Sequence, residues 1–249
     1  MSISKDTAKC DFCADAFYCV TIKVIVFTVE HVMPHRIKID ENGHYCPFPG
    51  ITIVANTMVE NKTLWESVFH YINGTFSEYF SALPPSSYHM TTTNLFTDSQ
   101  FPDEHAWDDF LDKNLHFFEK VSSDLFLEQE NFTASIQSIF TNGVIQLCVS
   151  IPETQREKIH QFAASHGLDK KLIPAHFHIT LAYQYQRIPT KEIFLEVTQQ
   201  IETALREIFK AHETFQFSPA RLNYFLDMTA FHDWDGHSNP FHSGSTHRP

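Results

Sequence analysis

Two short segments of this chain carry residue types that can move protons. Tyr88-His89-Met90-Thr91 and Phe177-His178-Ile179-Thr180 share one pattern: aromatic, His, large apolar, Thr. Each follows proline a few residues upstream, Pro84-Pro85 in one case and Pro174 in the other. In a strand, residues i and i+2 point to the same face. Each His is therefore expected to share a face with its Thr, while Met90 and Ile179 turn into a core. Two such strands facing each other present two imidazoles and two hydroxyls to one cleft. Imidazoles titrate near neutral pH and can act as base or acid, which suits displacement at a phosphodiester. Thr93 falls on the same face by this alternation, where it either lines the cleft as a binding residue or only continues the strand.

The order of elements around the two segments is repeated. Ile51 to Asn56 is β-branched and reads as a strand. Thr63-Leu64-Trp65-Glu66 has the form of a capping box, and Leu64, Val68, Ile72, Phe76 and Phe80 recur every four residues behind it, as on a helix face. Leu83-Pro84-Pro85 is read as the stop, before a strand from Ser87 to Phe96. Pro102-Asp103-Glu104 opens a helix to about Ser122, whose carboxylates between Asp103 and Asp112 read as a solvated face. Phe132 to Phe140 reads as a strand. The second half then copies this with a strand at Val144–Ile151, a helix from Pro152-Glu153 to Gly167, and a strand at Phe177–Tyr185. A helix capped by Thr190 follows, then strand-like sequence from Phe215 to Phe231. The expected fold class is α+β and bilobal. Two strand-helix-strand-helix-strand lobes, 46–142 and 143–231, are related by a pseudo-twofold axis with the cleft between them. Residues 1–35 form an N-terminal extension with a candidate edge strand at Ile22–Val29. Residues 232–249, rich in His, Ser, Gly and Pro, are expected to be a flexible tail.

A net charge of −12 argues against long nucleic acid, which needs many Lys and Arg contacts to phosphate. It leaves open a nucleotide or short oligonucleotide in a cleft. The apolar run Ala16–Val29 is interrupted by Lys23 and is too short for a membrane span, and with no basic n-region and small-residue cleavage site before it a secretory signal is not expected. The five cysteines form no disulfide framework, so the chain reads as a cytoplasmic protein with reduced thiols. Its oligomeric state is open, with a monomer expected.

Each chemical reading has a bland counterpart. One His on an apolar strand is more often a buried, satisfied side chain, and only the duplication reverses those odds. Cys10-x-x-Cys13, with Cys19 and Cys46, and the pair His176 and His178 are zinc-like but lack a further ligand at regular spacing, so no metal site is assigned. Tyr183, Tyr185 and Tyr224 are base-stacking candidates that are more often core or rim aromatics.

The paired segments resemble the His-x-Thr-x signatures of the 2H phosphoesterase superfamily, which includes cyclic phosphodiesterases and RNA 2′,5′-ligase-like proteins. Leu83-Pro84-Pro85-Ser86-Ser87-Tyr88-His89-Met90-Thr91 and Pro47-Phe48-Pro49-Gly50 resemble one largely uncharacterised branch of it, across about residues 36 to 230. In that branch a Phe-Pro-Gly turn precedes the first strand. The resemblance implies a bilobal fold without metal or cofactor, with His89, Thr91, His178 and Thr180 in a central cleft. The activity it implies is hydrolysis of a 2′,3′-cyclic phosphate, or of another small nucleotide or short RNA phosphodiester, with the histidines exchanging acid and base roles. The alternative from another class is a nucleotide- or RNA-end-binding module that uses the same cleft without turnover.

Overall fold

The computed structural model describes residues 37–212 and 214–242. The N-terminal extension, with its candidate strand and three of the cysteines, lies outside the described residues. Two antiparallel sheets carry the fold. The first holds β3 (His89–Thr97), β1 (Gly50–Asn56), β8 (Arg221–Phe225) and β9 (His232–Asp233), in that order. The second runs β2 (Phe80–Ala82), β6 (Phe177–Gln184), β5 (Val144–Ser150), β4 (Phe132–Phe140) and β7 (Thr214–Phe217). The two histidine strands, β3 and β6, lie against each other across the boundary between the sheets.

The repeat is present, but its halves trade strands. β4 ends the first half yet pairs with β5 and β7 of the second sheet. β8 ends the second half yet pairs with β1 of the first. The strand-like stretch expected at 215–231 is thus two strands in different sheets, and Pro219 stands between them. The helices change sides too. α1 (Lys62–Phe76) packs on β2 and on α4 (Lys191–Ile208), where the Tyr71 hydroxyl donates to the Gln200 carbonyl at 3.4 Å. α2 (Glu104–Leu127) lies on β8 and α3 (Glu153–Ser165) on β3, and His166 meets Asp124 of α2 at 2.9 Å. Exchange of this kind interlocks the two halves, because each sheet contains strands from both.

Local signals account for most boundaries. Asp103 caps α2 by accepting from the Ala106 N–H, and Thr190 caps α4 by accepting from that of Ile193. Gly167 ends α3 with a φ of +67°. Two readings are corrected. α1 starts before Thr63, because a 3-10 turn at Val59–Asn61 runs into it and the Val59 carbonyl accepts the Lys62 N–H, so Thr63 caps nothing. Phe80 is not on α1: the helix ends at Phe76, and Phe80 heads β2, buried against Gln184 of β6. Leu64, Val68, Ile72 and Phe76 do form the buried helix face. No helix among the described residues is long and apolar enough to cross a membrane.

The described part of the tail, residues 232–242, is docked rather than flexible. β9 pairs with β8, and the buried Trp234 packs on Phe118 of α2 with ring centroids 4.9 Å apart. The Trp234 indole donates to the Ser238 carbonyl at 2.8 Å, and its own carbonyl accepts from the Ser122 hydroxyl at 2.9 Å. Phe241 packs on Trp107. Few apolar residues suffice because two large aromatics are placed on one helix. Gly236 lets the chain approach it: with φ of +81°, its Cβ would sit 2.3 Å from the Glu119 nitrogen. Trp234→Ala is therefore expected to cost about 3–5 kcal/mol in urea unfolding. A variant with wild-type stability would show that the tail contributes nothing to the fold.

Candidate active site

The apolar members of each segment anchor it. Tyr88, Met90, Phe177 and Ile179 are all almost fully buried, and Tyr88 meets Trp65 of α1 edge-on at 5.8 Å. Their alternates, His89, Thr91, His178 and Thr180, are only partly buried and lie on the other face, as the spacing requires.

Each imidazole is held in the same way. His89 Nδ1 lies 2.7 Å from the Ser87 carbonyl, and His178 Nδ1 lies 3.3 Å from the His176 carbonyl, two residues back in both cases. A carbonyl can only accept, so Nδ1 carries the proton and Nε2 keeps its lone pair. His176 itself is exposed and serves the site through its backbone. Among the described residues no three His, Cys, Asp or Glu side chains converge as a metal site.

Both strands then break step after the threonine. In the first sheet Val54 pairs with Thr91 and Ile53 with Thr93, leaving Thr92 as the extra residue. In the second, Gln146 pairs with Thr180 and Ile145 with Ala182, leaving Leu181 extra. Such a bulge inverts the alternation beyond it. The structure accordingly does not bring Thr93 to the histidines. Thr93 is buried, and with Thr92 it lines a separate cavity of about 440 Å³ bounded by Leu125, Ile159 and Phe162 and by neither histidine. The residues re-aimed to the histidine face are Asn94, which is exposed, and Tyr183, which is partly buried. Of the other tyrosines, Tyr185 donates to the Ser77 carbonyl at 2.6 Å, and Tyr224 packs against His232 and Phe241.

Several site residues carry no motif. Asn56 stands across from His89, and Cys148 across from His178. The Gln146 amide donates to the Thr180 hydroxyl at 3.1 Å, which leaves that hydroxyl's own proton for a ligand. Lys38 donates to the Tyr183 hydroxyl at 3.4 Å. A row of rings supports His89: Phe231 lies 4.0 Å from it, Phe225 4.9 Å from Phe231, and Phe48 6.5 Å from Phe225. The Phe-Pro-Gly turn serves this row, since a Cβ on Gly50 would sit 2.4 Å from the Phe225 ring. Only a paired-strand register, which the sequence does not print, would have pointed to Asn56, Gln146 and Cys148.

Burial is the main cause that lowers His89, to a pKa of about 4; the Ser87 carbonyl opposes it, and the charges of His178 and Lys38 add to it. His178 is lowered as well, first by burial and then by Lys38, against the His176 carbonyl. At neutral pH both rings are uncharged, with Nε2 ready to accept a proton.

Residues 38–140 match the family model described as 2H-phosphodiest, domain of unknown function DUF1868. No curated protein sequence matches the chain. Among solved structures, the conserved protein of unknown function ATU0111 from Agrobacterium tumefaciens str. C58 shares the fold at a TM-score of 0.63 and 18% identity, covering 79% of this chain and 89% of that one. LigT of E. coli, solved with 3′-AMP, has a TM-score of 0.43 at 14% identity over 75% of this chain and 95% of its own. Usb1 of Kluyveromyces marxianus, solved with uridine monophosphate, has 0.40 at 10% over 77% and 97%. These two likenesses are too slight to argue from.

Two outcomes are expected of this geometry. Gly50→Ala should displace the Phe225 ring and cost about 1–3 kcal/mol in chemical unfolding; an unchanged midpoint would show that the ring row is not tightly packed. A lowered histidine pKa means that the folded chain binds fewer protons than the unfolded one, whose value is about 6.5. Stability present above pH 6.5 is then lost as pH falls, levelling off below about pH 4 for His89. His89→Gln should make that decline shallower. Identical slopes for the two proteins would show that His89 is not depressed.

Proposed function

We propose that the chain, whose residues 38–140 match the 2H-phosphodiest family model, is a metal-independent phosphodiesterase of the 2H phosphoesterase superfamily. Its substrate is a 2′,3′-cyclic phosphate, or another small nucleotide or short RNA phosphodiester. The observation that carries this reading is the duplicated geometry. Two imidazoles, each pinned through Nδ1 and each sharing a face with a threonine, lie on adjoining strands. That arrangement supports His89, Thr91, His178 and Thr180 as the catalytic group, with the threonines also binding substrate.

The chemistry proceeds from the two free Nε2 atoms. One neutral imidazole takes a proton from water as the water oxygen bonds to phosphorus. The other, as imidazolium, gives its proton to the ribose oxygen as the phosphorus–oxygen bond breaks, leaving a phosphomonoester. His89, the more strongly lowered ring, is assigned the base in hydrolysis and His178 the acid. An anionic diester beside His178 favours its protonated form, so the substrate helps to recruit the acid. The threonine hydroxyls donate to the non-bridging oxygens as charge builds on them.

The test is hydrolysis of 2′,3′-cyclic nucleotides and short 2′,5′- and 3′,5′-linked oligonucleotides in excess EDTA. Turnover should survive chelation and fall about 10²–10⁴-fold in His89→Ala and in His178→Ala. Full rate in either variant contradicts the assignment. Tight binding without turnover, unchanged in both, is the behaviour of a non-catalytic binding module.

A further inference from the structure

Lys38 belongs to neither histidine strand, and no motif contains it. It lies on the segment before β1, which folds back on itself through a bridge between Ile39 and Tyr45 with Gly43 at a φ of +83°. That segment is fastened to the second sheet and its neighbour. The Tyr45 hydroxyl donates to the Ser81 carbonyl at 2.7 Å, and the Gln186 amide to the Glu41 carbonyl at 2.8 Å. The position of Lys38 is therefore set by the fold.

The ammonium lies 5.1 Å from the Phe48 ring centre, 5.5 Å from that of Tyr183, and 3.4 Å from the Tyr183 hydroxyl. Tyr183 is the residue that the second bulge turns to the histidine face. Among the described residues no carboxylate pairs with Lys38, which is partly buried. A compact, strongly hydrated charge in that position has two aromatic neighbours and one hydroxyl, which replace its lost water only in part. Its charge reaches both imidazoles.

The histidines and threonines on the described strands do not by themselves supply what an anion needs. Before a ligand binds, two neutral imidazoles and two hydroxyls bring no positive charge, and the chain as a whole carries −12. A phosphodiester approaching such a surface is repelled unless a local cation reverses the field. We infer that Lys38 is the anion anchor of the cleft, its ammonium, flanked by the Phe48 and Tyr183 rings, taking a non-bridging oxygen of a phosphate ester. This inference rests on the reading of the cleft as a phosphodiester site. It makes the ligand an anionic phosphate ester and not a neutral nucleoside.

The experiment is a titration of inorganic phosphate, and separately of a neutral nucleoside, into full-length wild type, K38M and K38R. The readout is the NMR signals of the imidazoles, with the hydrolysis assay run on the same samples. K38M, which keeps the apolar stem, should bind phosphate at least about tenfold more weakly, as expected for loss of one charge-assisted contact. K38R should retain most of the affinity. Without ligand, both imidazole pKa values should rise in K38M, a change that a purely structural role for Lys38 would not produce. Equal phosphate affinity in wild type and K38M, or no phosphate binding by wild type, overturns the anchor even if wild type hydrolyses diesters. Lys38-dependent phosphate binding with no turnover on any diester upholds the anchor and overturns the catalytic reading instead.

Discussion

The site depends on one interaction made twice, the hydrogen bond from an imidazole Nδ1 to the carbonyl two residues before it. At His89 the acceptor is Ser87 and at His178 it is His176. Because a carbonyl cannot donate, the bond fixes both the tautomer and the ring orientation. What remains is a lone pair on Nε2 aimed away from the strand. Each ring owes its place to its neighbours, since Tyr88 and Met90, or Phe177 and Ile179, lock the backbone from the opposite face.

The bulges extend this logic from local to global structure. One extra residue after each threonine inverts the alternation, so the histidine face regains a residue that plain pleating would have hidden. The two copies use the position differently. Asn94 is open to solvent, whereas Tyr183 holds Lys38. The pseudo-twofold framework thus presents two equivalent imidazoles with unlike surroundings, which is what a substrate with two different ends requires. Strand exchange between the halves keeps the histidine strands together, because neither sheet is complete without a strand from the other half.

Much of this was legible in the residues. Period-two alternation identified the buried and open members of both segments, and four-residue spacing identified the α1 face. Thr190 marked the start of α4 as its cap, and Pro102-Asp103-Glu104 marked that of α2, although Asp103 is its cap and Pro102 lies outside the helix. Misreadings came where tertiary pairing overrode a local rule. Thr93 was assigned to the histidine face because a bulge leaves no mark in a run of three threonines. Phe80 continued a helical spacing by coincidence and instead heads a strand. The tail looked too polar to fold, yet Trp234 and Phe241 find pockets on α2, and Gly236 clears its backbone. Lys38 was invisible because its role comes from a fold-back joining residues 145 positions apart.

Everything in the site turns on both histidines being neutral at pH 7, with the proton on Nδ1 and Nε2 free. A spectrum of the protein with ¹⁵N-labelled histidine tests it directly. His89 and His178, assigned by single substitution, should both show the Nδ1–H tautomer. A protonated Nε2 on either ring, or an imidazolium at that pH, would contradict it.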